Sequence, residues 1–227
     1  MVMVIKERYK YDKLERITQP DGVRHYVCPR TGKMLPSVTT ILSRTADKKE
    51  LVEWRQRVGD VKAEQIRQEA TKLGTLMHTH LECYLLGLPR PGGNNYIRLL
   101  AERMANQIIH RGLVHVNECW GTETALYAPH LWAGTTDCVG LYEGKPAIMD
   151  FKTAKKIRRR EMIEDYFLQL SAYIIAHNEL YDTQIDTGVI FMVSRDCEYE
   201  EWVIEHGEVS RYKMQFFDRF EQYINHS

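Results

Sequence analysis

The chain has 227 residues, 44% hydrophobic and 27% charged, and its 31 basic and 31 acidic side chains cancel to a formal net charge of zero. That length and balance fit a soluble protein with one good core, and the sequence holds no internal repeat or low-complexity linker. A neutral total gives no hint of a polyanionic partner, so any nucleic-acid surface has to come from local clustering of charge.

The N-terminal Met-Val-Met-Val-Ile-Lys-Glu-Arg has no long apolar run and no small-residue cleavage pattern, so no export, transit or membrane segment is expected. Residues 8–35 alternate apolar and polar side chains around Gln19-Pro20-Asp21-Gly22, the pattern of a β-hairpin with a strong turn. From Ser37 to Leu86 the period becomes helical, with breaks near Thr45-Ala46-Asp47 and at Gly59-Asp60, the latter pair supplying an N-cap. A further amphipathic helix runs from about Asn95 to His110 and stops at Gly112. Strands are expected near 113–118 and 122–127. After the stretch from Gly134 to Lys152 come a helix over about 161–181, strands at 186–194 and 199–205, and a helix at 208–224, in which His206, Trp202 and the last helix's aromatics read as core.

The stretch from Gly134 to Lys152 carries the chemistry. Leu131, Ala133, Val139 and Leu141 alternate onto one face of a strand, and Asp137 falls on that same inward face. Glu143-Gly144-Lys145-Pro146 makes the turn, and Asp150 and Lys152 then share a face of the returning strand. A carboxylate aimed inward is costly without a partner. Two acids and a lysine converging in this way suit metal-dependent phosphodiester hydrolysis: the acids hold a divalent cation, and the lysine orients a water or offsets developing charge. Taken alone, Asp-Phe-Lys would be an ordinary ion pair on a sheet.

Gly134-Thr-Thr-Asp137, a turn, then Asp150-Phe-Lys152-Thr resembles the catalytic core of the PD-(D/E)XK nuclease superfamily in its RecB-like branch. Gln169-Leu-Ser-Ala-Tyr173 matches that branch's helical Gln-x-x-x-Tyr, and Gly74-Thr-Leu-Met-His78 its upstream helical histidine. With Pro36-Ser37-Val38-Thr39, the likeness extends from about residue 36 onward and is greatest to the branch's mitochondrial and bacteriophage exonucleases. It implies an α/β, restriction-endonuclease-like core with a central mixed β-sheet flanked by helices, preceded by an N-terminal hairpin and helical segment. The expected organisation is a single domain over 1–227, with the hairpin and helical part at 1–111 and the core at 112–227.

The resemblance implies roles residue by residue. Asp137, Asp150 and Lys152 would be catalytic, and His78, Asp137, Asp150 and the Phe151 carbonyl would bind one or two ions of Mg²⁺ or Mn²⁺. Glu82, one helical turn from His78 on the same face, would support that shell, and Glu123 would support it or hold a second metal. Gln169, Tyr173, Ser37 and Thr39 would touch substrate. Lys155, Lys156, Arg158 and Arg159 would draw in phosphates, offsetting the cost of cations before a helix N-terminus. Tyr84, Tyr96, Trp54 and Trp132 are candidates for base stacking. Some relatives carry a four-cysteine iron–sulfur cluster. Cysteines at 28, 83, 119, 138 and 197, with only the last beyond the hairpin, lead us to expect none here.

The expected activity is exonucleolytic hydrolysis of single-stranded DNA from a free end, in replication, repair or nucleotide recycling. Cutting of flaps, junctions or duplexes by an endonuclease of the same fold is the alternative, and a non-catalytic DNA-binding module is a weaker one. A monomer in the cytoplasm of a bacterial or bacteriophage-infected cell is the expected setting.

Overall fold

A computed structural model describes residues 4–19 and 23–226. Its frame is a six-stranded mixed sheet in the order β1-β5-β6-β7-β8-β9, and a small antiparallel sheet, β2-β3-β4, lies beside it. The small sheet comprises Arg16–Thr18, Arg24–Val27 and Met34–Pro36, and the turn at 20–22 lies outside the described residues. Tyr26, Cys28 and Leu35 pack there against Tyr127 and Ala133 of the large sheet.

In the large sheet, β1 is Val4–Ile5, β5 Val116–Ala128, β6 Trp132–Tyr142 and β7 Lys145–Ala154, followed by β8 at Thr187–Ser194 and β9 at Tyr199–Glu205. The two strands expected before the hairpin are one thirteen-residue strand that absorbs register shifts between Val116 and Glu118 and between Cys119 and Gly121. A Cβ on Gly140 would lie 2.0 Å from the Glu118 carbonyl oxygen, so the partner strand passes this bulge only with glycine there. The tight β6–β7 turn places Glu143 and Gly144 at φ +47° and +80°. β7 and β8 are parallel, which requires a crossover, and helix α5 provides it.

Alternation along the central strands sends side chains into two layers. Ile148, Ile190 and Met192 pack on one face with α1 (Val38–Thr45), α5 (Glu164–Tyr181) and α6 (His206–Asn225). Ala147, Met149, Phe151, Val189 and Phe191 pack on the other face with α3 (Asp60–Leu85) and α4 (Tyr96–Arg111). The restriction-endonuclease-like α/β arrangement expected from the sequence is thus present. α2 (Lys49–Val58) buries no residue, and α3 follows it across Gly59, which holds φ +80°.

Helix starts follow local chemistry. Ser37 caps α1 by accepting from Thr40 N at 3.0 Å, and Asn95 caps α4 by accepting from Arg98 N at 3.0 Å. The cap expected from Gly59-Asp60 is absent: Gly59 has no side chain to offer, and Asp60 is already helical and pairs with Arg55. His206 departs from the core reading as well, with a side chain 72% exposed against Asp186. Among the described residues no helix is long and apolar enough to cross a membrane.

Candidate metal and catalytic site

β6 and β7 pair only as far as Cys138 and Met149. Beyond that point β6 stays with β5 down to Trp132, while β7 stays with β8 up to Ala154. The two strands therefore part as a fork, with Asp137 and Asp150 as the first residues past the last paired rung. Asp137 Oδ2 accepts the backbone N–H of Phe151 at 2.6 Å, and Thr136 Oγ1 donates to the Met149 carbonyl at 3.2 Å, which fixes the fork's base.

α3 closes the fork from one layer. Met77 and Leu81 are fully buried under it, and this sets His78 with its Nδ1 3.1 Å from Asp137 Oδ1. From the neighbouring strand, Glu123 stands directly across from Asp137, between the paired rungs Thr122–Cys138 and Thr124–Thr136. Like charges in that relation repel. Glu123 also holds φ +44°, a strained conformation for a side-chain-bearing residue. Ligand atoms of His78, Glu123 and Asp137 lie within 4.8 Å of one another, close enough for one cation to touch all three.

The electrostatics fit a cation. Burial alone would lower the His78 pKa, but the adjoining Asp137 charge and hydrogen bond outweigh it and raise the imidazole to about 9. Burial and the Asp137 charge push Glu123 up to about 7, with Glu82 adding to the rise. Burial and Asp137 also raise Asp150 to about 6 against the pull of Lys152. Burial would raise Asp137 too, yet His78 and Lys152 hold it below the usual carboxylate range. Three carboxylates thus face two cations, and a carboxylate placed opposite another in a strained backbone is the arrangement a bound cation relieves.

The second half of the group sits on the α5 side. Lys152 pairs with the nearly buried Asp150, donates to Gln169 Oε1 at 3.0 Å, and lies 4.7 Å from the ring centre of Tyr166. Gln169 Nε2 donates in turn to the Tyr173 hydroxyl at 3.3 Å. The Tyr173 ring occupies space that a Cβ on Gly134 would fill, at 2.7 Å. Burial disfavours the charged Lys152, but Asp150 and Asp137 more than compensate and leave it an ammonium above its ordinary range.

The remaining sequence-derived candidates divide. Lys155, Lys156, Arg158 and Arg159 are exposed just past β7, and among the described residues none has an acidic partner, whereas Arg160 pairs with Glu208 and Asp165 is taken by Arg219. Ser37 is 2% exposed and its hydroxyl bonds within the α1 cap to Thr39 and Thr40, while its backbone bridges to Ala133 at the start of β6. Tyr84 and Tyr96 are exposed, but Trp132 is fully buried against Phe216, Phe217 and Phe220 and has no face left for a base. Sequence reasoning missed Tyr166 as a partner of Lys152, although it stands three residues before Gln169 on the same helix face. Glu123, expected to support the shell or to hold a second metal, stands among the residues able to hold an ion.

No family model matches the chain. It is 30% identical over 181 residues, 71% of its length, to mitochondrial genome maintenance exonuclease 1 of Xenopus tropicalis, and covers 49% of that protein. To the human protein of the same name it is 26% identical over 209 residues, covering 86% of this chain and 60% of the relative. The chain therefore spans about half the length of the curated relatives it matches. A solved Eubacterium rectale structure bearing the name exonuclease superposes with a TM-score of 0.51 at 13% identity, over 70% of this chain and 65% of that one, a likeness of fold. The expected bacterial or bacteriophage-infected cytoplasm is overturned by the vertebrate relatives, whose name places them in mitochondria.

Proposed function

Starting from its kinship with the RecB-like PD-(D/E)XK nucleases, we propose that this protein is a metal-dependent DNA exonuclease that hydrolyses single-stranded DNA from a free end. The observation that carries the reading is the fork itself. His78, Glu123 and Asp137 converge on one point there, and Asp150 and Lys152 adjoin it. Residues 1–111 and 112–227 would act as one nuclease domain, a view supported by the Ser37–Ala133 bridge between them.

A divalent cation at this point supplies Lewis acidity toward a phosphodiester and lowers the pKa of a bound water. His78, Glu123 and Asp137, with Asp150 and the Phe151 carbonyl on the adjoining strand, are the groups that would hold it. The imidazole among oxygen ligands favours Mn²⁺ over Mg²⁺. Lys152, an ammonium rather than a free amine, donates hydrogen bonds. It orients the attacking water and offsets charge developing on the phosphate. Gln169 and Tyr166 hold the ammonium in place, with Tyr173 supporting Gln169. Lys155, Lys156, Arg158 and Arg159, without an acidic partner among the described residues, take the phosphates of the strand.

The test is digestion of end-labelled linear single strands, circular single strands and duplexes by wild type and Lys152→Ala in Mg²⁺ or Mn²⁺. Loss of the linear single strand alone, at least a hundredfold slower in the variant, is the expected result. Cutting of the circle would move the assignment to an endonuclease.

A further inference from the structure

Past the fork, the end of β7 borders a cavity of about 290 Å³, lined in part by Lys155 and Arg158 of the basic segment. One wall is the outer part of α3, through Ile66, Ala70 and Leu73. The other is cationic, with Lys155 and Arg158 after β7 and Arg195 from the β8–β9 turn. No acidic residue lines it. Lys155 and Arg158 have no acidic partner among the described residues. Arg195 is set by its backbone N–H, which donates to the Ala154 carbonyl at 3.1 Å, and by one guanidinium nitrogen, which donates to Glu69 at 2.8 Å. Its Nε and remaining amino group make no hydrogen bond among the described residues, and a planar guanidinium with free donors is suited to phosphate.

We propose that this cavity seats one nucleotide of the substrate strand, next to the phosphodiester held at the fork. The inference rests on the nuclease reading above. Two independent rulers give the separation. Lys155 is three residues beyond Lys152 and one past the end of β7, at most ~10 Å away, and Ala70 is eight residues before His78, ~12 Å along a helix. A strand bound at the fork therefore reaches it. The volume lies just under the low end of the about 300–1,000 Å³ typical of small-molecule sites and suits a single nucleotide. The division of its lining matches the division of a nucleotide: sugar and base lie against the aliphatic wall, and phosphate meets the cations. An aliphatic wall accepts any base by contact, so the seat is indifferent to sequence.

The deciding experiment is calorimetric titration of the full chain in EDTA, which removes any metal ion that would hold phosphate at the fork, using thymidine 5′-monophosphate, thymidine and inorganic phosphate. The monophosphate should bind more tightly than either part. Arg195→Ala should weaken it at least fivefold. Ala70→Phe, which fills the exposed side of α3, should weaken the monophosphate and leave inorganic phosphate unchanged. Both variants should melt within a few degrees of wild type, and Ala70→Phe should raise the KM for single-stranded DNA more than it lowers kcat. Monophosphate binding that is absent, or equal in wild type and both variants, would overturn the proposal while leaving the exonuclease assignment intact if DNA is still cut. Wild type that cuts no DNA in any divalent cation would overturn the nuclease reading, and the titration would still judge the cavity.

Discussion

His78 is protonated at neutral pH in the metal-free protein, because Asp137 lifts its pKa to about 9, and the imidazolium occupies part of the electrostatic role that an ion would take. A histidine binds a metal only as the neutral imidazole and a glutamate only as the carboxylate, so binding expels that proton, and Glu123, raised to about 7, releases part of another. Apparent Mn²⁺ affinity should therefore climb steeply between pH 6 and 9, by up to tenfold per unit for each proton released. Titrations in buffers of differing ionisation heat should report one to two protons released, and a flat profile would remove His78 from the ligand set. Glu123→Gln should raise the melting temperature of the metal-free protein by ending the repulsion with Asp137, and should shrink the further rise on adding Mn²⁺. An unchanged metal response would exclude Glu123 as a ligand. Of these residues, Asp137, Asp150 and Lys152 were legible because their spacing follows the period of a strand. Glu123 was half legible: its place across from Asp137 depends on two bulges in β5 that no periodicity reveals.

Among the elements, α5 and the segment before it matter most to the site. Lys155 and Lys156, exposed and without an acidic partner among the described residues, invite a salt test. Binding of a single strand in EDTA should weaken with a slope in log salt proportional to the phosphates neutralised, and Lys155→Ala with Lys156→Ala should lower that slope by about 1.4. An unaltered slope would make the segment an ordinary solvated turn. At its other end α5 carries the fully buried His177, whose Nδ1 meets Thr183 and whose Nε2 meets Tyr11, with Tyr9 and Tyr181 against the ring. Burial lowers its pKa to about 4. The folded state keeps it neutral while the unfolded chain takes up a proton below pH 6.5, so stability is lost as pH falls from 6.5 toward 4, by ~3 kcal/mol at most. His177→Gln should flatten that slope in urea melts across this window, and an equal slope would refute the assignment. The alternation and helical period marked most elements. The single long β5 was read as two strands because the bulges break its pattern.

For the whole molecule, the function follows from where pairing stops. A mixed sheet covered by α1, α5 and α6 on one face and by α3 and α4 on the other buries both of its faces, and the β6–β7 fork lets groups from both layers reach one point. The α/β class and element order were readable from the sequence, since each strand and helix announces its own period. The fork was not, because the length of a pairing is a property of two strands together. The sheet's continuity past the bulge rests on Gly140, and Gly140→Ala should cost about 2–4 kcal/mol by forcing the β5 backbone aside. A smaller loss in the urea midpoint would mean that the bulge shifts freely.

The most direct test of the account is single-turnover cleavage of an end-labelled single strand while Mn²⁺ is titrated from an EDTA-treated start, in wild type and Asp137→Asn. Cleavage that appears with the metal in wild type and stays at least a thousandfold lower in the variant is the predicted result. Cutting that persists in EDTA, or proceeds equally in Asp137→Asn, would contradict the fork as the site of hydrolysis.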